Sequence, residues 1–217
     1  MHMKKEVRDT GYQVTVTEGE ESRKVEGYAL LFDTKSDGLP FEEVIERGAL
    51  DGVPEKSDVL ALVNHNTSRG VLARWKKQAG SLILSVDAKG LRYEFDAPRT
   101  ALGDELLENI RRGEIDSSSF AFTVEKDTWE KKGNGTMKRT IHKIGQLYDV
   151  SPVYNAAYSK TSVYTRDADD SLIDAQTLLD EQEEMLRKQE QEVKEKEARE
   201  AEITALHNSV EELFNKL

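Results

Sequence analysis

Between residues 11 and 165 apolar side chains recur at every second position in short runs, and Gly, Asn, Asp and Pro cluster between those runs. A period of two places such a run on the pleated surface of a sheet, so strands are expected at 12–17, 24–32, 59–63, 82–86 and 91–95. Asp37-Gly38 with Pro40, Lys89-Gly90 and the polar segment 131–135 supply the residues that turns require, and the last of these is expected to close a hairpin. One helix stands out among the strands. Thr100 can cap it, Asp104 and Glu105 lie near its positive end, Leu102, Leu106, Leu107 and Ile110 form one stripe, and Gly113 can end it. The stretch 41–50 reads as a shorter helix or as a loop closing over the sheet, with Gly48 weighing against the helix.

From residue 166 the texture changes. Gly and Pro disappear, and Glu, Gln, Lys, Ala and Leu dominate. Leu172, Leu179, Leu186 and Val193 recur every seven residues, and Ile203, Leu206, Val210, Leu213 and Leu217 follow at spacings of three and four. A long helix with coiled-coil character is expected, weakly paired where Gln182 and Gln189 occupy seam positions and best paired near its end. A solvated single helix is the alternative. The organisation read from the chain is an extension over 1–10, a strand-rich domain over 11–165 and a helical tail over 166–217. Met1-His2-Met3 resembles a cloning remnant, which removes His2 from the candidate site residues.

Charge sharpens this division. The formal net charge is −11, and residues 166–217 hold sixteen acidic against seven basic side chains, so the tail carries most of it. A nearly neutral body with an acidic tail lacks the basic face that a phosphate backbone calls for, so nucleic acid is not an expected partner. The absence of cysteine excludes disulfides, thiolate metal sites and a cysteine nucleophile, and it fits a reducing compartment. No run of eighteen apolar residues and no secretory signal is found, so a soluble intracellular protein with no membrane partner is expected.

Three features can carry chemistry. In Leu62-Val63-Asn64-His65-Asn66 an apolar run ends in a histidine between two amides, which is either a surface side chain or an accessible, oriented base. In Asp116-Ser117-Ser118-Ser119-Phe120-Ala121-Phe122 three serines enter an alternating aromatic strand soon after Gly113, either as turn residues or to present a hydroxyl. In Leu147-Tyr148-Asp149-Val150-Ser151-Pro152-Val153 an acid lies between apolar neighbours, where it faces water or orients a cationic partner. Nucleophile, base and orienting acid are recognised by geometry and not by chain order.

Taken in sequence, Gly27-Tyr28-Ala29 with Phe32, Phe41-Glu42-Glu43, Gly48-Ala49-Leu50, Asn64-His65-Asn66, Gly113 with Ser119-Phe120-Ala121-Phe122, and Asp149-Val150-Ser151-Pro152-Val153 resemble the phage prohead protease family over about residues 23–165. Ala156 stands where that family generally has proline. The resemblance implies an α+β, mainly β fold: a compact β-barrel flanked by helices, distantly similar to herpesvirus assemblin proteases. It implies a serine endopeptidase that needs no cofactor, with Ser119 as nucleophile, His65 as base and Asp149 as the orienting acid. Ser117 and Ser118 remain neighbours to exclude, and His142 is the rival third member. It further implies action in the host cytoplasm, inside the immature prohead, on scaffold and major capsid protein, with self-processing. Self-association through the tail is expected. The alternative is a non-enzymatic assembly or scaffolding protein that oligomerises through that tail.

Overall fold

A computed structural model describes residues 4–154, apart from 18, 20–21 and 37–38, together with scattered positions between 176 and 191. The chain divides into two units, Met1–Leu172 and Ile173–Leu217. The coiled-coil tail expected over 166–217 lies, but for those scattered positions, outside the described residues.

The elements of the first unit are β1 (Lys5–Gln13), β2 (Thr15–Val16), β3 (Lys24–Leu31), β4 (Glu42–Ile45), α1 (Val53–Lys56), β5 (Asp58–Ala61), β6 (Ala73–Lys76), β7 (Ala79–Gly80), β8 (Leu82–Val86), β9 (Gly90–Asp96), α2 (Ala101–Arg111), β10 (Ile115–Lys131) and β11 (Met137–Tyr154). A mainly β fold with few helices results. The alternation read from the sequence is visible in β3, whose Val25, Gly27 and Ala29 are buried while the residues between them are half-buried. Thr100 caps α2 by accepting a hydrogen bond from the Gly103 N–H at 3.3 Å, and Gly113, with a φ of 73°, stands in the left-handed region just beyond its end.

Two open sheets carry the core. The larger runs β1-β10-β11-β5-β6-β7 and the smaller β2-β3-β9-β8. The far edge of β11 is shared, since β4 pairs with it in parallel along 138–141 and β5 along 149–150. Val25, Leu82, Tyr93 and Phe95 of the smaller sheet pack with Phe120, Phe122, Ile141, Ile144 and Val150 of the larger one in a single apolar cluster.

Three expectations are corrected here. The sheets are not closed into a barrel: each ends in its own edge strands, and among the described residues no ladder joins them. Alternation states which face of a strand is buried and is silent on whether the last strand returns to the first. Residues 41–50 are neither helix nor plain loop, because Glu42–Ile45 forms a strand and only the residues after it turn. Lys5–Asp9, read as part of an extension, form the first half of β1 at the edge of the larger sheet.

What fastens β1 is a buried set of charges. Arg8 donates to both carboxylate oxygens of Glu43 at 2.5 and 2.9 Å and to Glu6 at 2.5 Å. Arg139 on β11 donates to Glu6 at 2.7 and 3.0 Å, to Glu43 at 3.1 Å and to Asp127 at 2.6 Å. All but Asp127 are buried, so each charge depends on its partners for the solvation that water no longer supplies. Burial alone raises the Glu6 pKa, but the bonds and charges of Arg139 and Arg8 outweigh it and hold the carboxyl below its usual 4.5.

Replacing Arg139 by Met leaves two buried carboxylates to Arg8 alone, and is expected to cost about 3–5 kcal/mol in urea unfolding. Because the folded pKa of Glu6 is lowered, the stability its ionisation contributes is complete above about 4.5 and is lost as pH falls through the folded value. Urea midpoints measured from pH 7 down to pH ~3 are therefore expected to fall less steeply in Glu6→Gln than in the unaltered chain.

Candidate active site

The site lies on one face of the hairpin formed by β10 and β11. Ser119 pairs with Ser151 and Ala121 with Asp149, so period two turns the side chains of Ser119, Asp149 and Ser151 to the same side. Asp149 is 2% exposed and Ser119 is 0% exposed. The acid that stood between apolar neighbours in the sequence thus faces inward.

His65 arrives over this face from the segment after β5. The Leu62 N–H donates to the Val150 carbonyl at 3.2 Å and the Asn64 N–H to the Pro152 carbonyl at 3.1 Å, so the chain runs alongside β11 before it turns. Asn64 and His65 then adopt φ values of 50° and 57°. Two consecutive residues of this kind are uncommon outside glycine, and such backbone costs on the order of 1–3 kcal/mol per residue. The flanking amides explain how it persists. Asn64 Oδ1 accepts from the Tyr154 N–H at 3.2 Å, Asn66 Oδ1 accepts from the Ser68 N–H at 3.0 Å, and the Asn66 N–H donates to the Val63 carbonyl at 3.1 Å.

The turn delivers the imidazole between the other two groups. His65 Nε2 is 2.7 Å from Ser119 Oγ, and His65 Nδ1 is hydrogen-bonded to Asp149 Oδ1. Ser151 is the member that sequence reasoning missed: its hydroxyl donates to Asp149 Oδ1 at 2.9 Å and accepts from the His65 backbone N–H at 3.3 Å. Its signal was present, since a residue two positions from Asp149 on a strand shares its face. Lys5 of β1 forms an ion pair with the other carboxylate oxygen, Asp149 Oδ2, at 3.3 Å. Burial alone raises the Asp149 pKa. The hydrogen bond and charge of His65, with the Ser151 hydroxyl and the Lys5 charge, outweigh it and hold the carboxyl below its ordinary range. The acid is therefore anionic at neutral pH, and an anion at Nδ1 favours the tautomer that leaves Nε2 able to accept a proton.

The rival residues go elsewhere. The Ser118 hydroxyl lies 2.8 Å from the Tyr93 hydroxyl, toward the smaller sheet, and the Ser117 hydroxyl donates to Asp116 at 2.8 Å. His142 is held by Glu46 at 2.6 Å and Thr128 at 2.9 Å. Gly27, quoted in the resemblance, has a packing reason: a Cβ there would stand 2.9 Å from both Ser118 Oγ and Tyr93 Oη.

An arrangement of hydroxyl, imidazole and buried carboxylate in this order can deprotonate a nucleophile and stabilise the imidazolium that results. Among the described residues no helix is long and apolar enough to cross a membrane. No curated protein matches the chain. Two chains among solved structures match it, and one is the bacteriophage T4 capsid assembly protease, 12% identical over 71% of this chain and 99% of that one, with a TM-score of 0.46. The family described as caudovirus prohead serine protease matches residues 10–173, which is most of the sequence, and the chain belongs to that family.

Proposed function

We propose that this chain is a serine endopeptidase that cleaves scaffold and capsid-protein segments during phage prohead maturation, and that its triad is Ser119, His65 and Asp149. The observation that carries the reading is the relay in which one imidazole bridges Ser119 Oγ and the buried Asp149 carboxylate, with the three residues drawn from separate segments of the chain. His65 Nε2 takes the Ser119 proton as the hydroxyl attacks a peptide carbonyl. The protonated ring then passes that proton to the leaving amine, and water, activated by the same nitrogen, releases the acyl group. Asp149 keeps its charge throughout, and Ser151 holds Asp149 and the His65 backbone in place. The family's description supports action at the prohead, and the resemblance described above supports scaffold and capsid protein as the substrates.

The acidic tail fits a docking role in this scheme. Its apolar repeats suit pairing with a second copy or with a helical segment of the precursor, which would concentrate enzyme and substrate in one shell.

Mass spectrometry of the chain mixed with its assembled precursor tests the catalytic reading. Defined internal cleavages are expected from the unaltered chain. They should fall by on the order of 10⁴–10⁶ in rate in Ser119→Ala and His65→Ala, and by about 10⁴ in Asp149→Asn, while persisting in Ser117→Ala and Ser118→Ala. Cleavage that survives without Ser119 moves the nucleophile elsewhere, and none from intact precursor shells favours the scaffolding role. For the tail, Leu206→Lys with Leu213→Lys is expected to convert a dimer to a monomer in sedimentation equilibrium, and a strict monomer before substitution rules self-pairing out.

A further inference from the structure

Ser119, the residue that must meet a substrate carbonyl, is 0% exposed, and its hydroxyl donates to the backbone carbonyl of Arg8 at 2.9 Å. The hydroxyl has a single proton. While it lies on the Arg8 carbonyl it is not available to His65 Nε2, the other acceptor within reach at 2.7 Å. The strand that imposes this is β1. It pairs antiparallel along β10 from Lys5 opposite Thr123 to Asp9 opposite Ser119, and the register shifts between Asp9 and Gln13, just past the serine. Beyond the ladder, Lys5 also reaches Asp149, so one strand touches two members of the triad.

We propose that the edge of β10 held by Lys5–Gln13 is the docking edge for an extended substrate segment, and that β1 is its internal occupant, which must leave before the enzyme turns over. This rests on the protease reading above. Three observations argue for it. An extended peptide recognised by strand addition needs an unpaired edge beside the nucleophile, and the only edge of β10 not committed to β11 is the one β1 fills. β1 is the terminal strand of its sheet, so its release breaks one ladder and leaves the order β10-β11-β5-β6-β7 intact.

The third observation concerns the buried charges. Arg8 and Glu6 are paired with each other at 2.5 Å and depart together, while Glu43 keeps Arg139 at 3.1 Å and Arg139 keeps Asp127 at 2.6 Å. Neither the strand that leaves nor the sheet that stays is left with a buried charge lacking an opposite partner, which is the condition under which such a network can open. A substrate strand would then find Ser119 Oγ freed from Arg8 and His65 ready to accept its proton.

The test exploits the absence of cysteine from the chain. Val7 and Ala121 face one another in the ladder, so Val7→Cys with Ala121→Cys can form a single disulfide that holds β1 in place. A fluorophosphonate probe, which phosphonylates an activated serine with loss of fluoride, reports access to Ser119 by intact mass. A second variant, Arg8→Ala with Glu43→Ala, removes one buried pair as a unit, and circular dichroism checks its fold.

Labelling of Ser119 is expected to be at least about tenfold slower in the oxidised form than in the same protein after reduction, because an open form of ordinary minor population, ~0.1–10%, is abolished by the cross-link. The loosened variant is expected to label faster than the unaltered chain. Equal rates in the oxidised and reduced forms overturn the occupant role and leave the protease reading standing. Failure of the reduced protein and the loosened variant alike to label at Ser119 overturns the nucleophile assignment, and the occupant role with it.

Discussion

Everything at the site depends on the register between β10 and β11. Ser119 lies opposite Ser151 and Ala121 opposite Asp149, and a slip of one residue in either strand would turn its groups to the face that packs on the smaller sheet. The register is held from that other face. Phe120 opposes Val150 and Phe122 opposes Leu147, all four are buried, and the two phenylalanine rings stack with centroids 4.7 Å apart. Moving those side chains to the polar side would expose several large apolar groups, at roughly 1.5–3 kcal/mol each. The same alternation that buries the aromatic face therefore positions the hydroxyl and the carboxylate, and the geometry of the candidate site is a consequence of packing on the opposite side of the sheet.

The imidazole is placed by a different means, and at a cost. No ladder fixes His65, whose backbone occupies the left-handed region together with Asn64. The hydrogen bonds made by the two neighbouring asparagines, with one from the His65 N–H to Ser151 Oγ, over-determine the turn. Ser151 thus joins the two modes of positioning. It is set by the strand register, and it ties the strained turn to the carboxylate that the ring must reach.

How much of this was legible in the sequence varies with the kind of information each part requires. The strands at 24–32, 82–86 and 91–95 and the helix from Thr100 were readable because local alternation and capping chemistry decide them. His65, Ser119 and Asp149 were nameable from the order of short motifs, and the fold brings the three together, but their separation along the chain hid any geometry. β4 was obscured because Glu42 and Glu43 do not look like strand residues. Glu43 is nonetheless fully buried, since Arg8 and Arg139 come to it from two other strands. β1 was hidden for the same reason: Lys5, Glu6, Arg8 and Asp9 read as part of an extension until the partners of Glu6 and Arg8 are known. A buried charge can be recognised only through its partners, and apart from the Arg8–Glu6 pair the partners within this buried set are distant in sequence.

That concealment bears on what the buried charges do. An apolar β1 would be held by the hydrophobic effect and would resist release, because lifting it would expose apolar surface on both the strand and the sheet. A paired ionic strand behaves differently. Desolvation already opposes its burial, and the hydration regained on opening offsets part of the lost ion-pair attraction. The network also specifies alignment, since only one register places Arg8 against Glu43 and Glu6 against Arg139 at once. Exact seating with limited net adhesion is the combination that a segment lying beside the proposed nucleophile would require, and it accounts for four buried charges next to the candidate site without assigning them any part in the bond-breaking step.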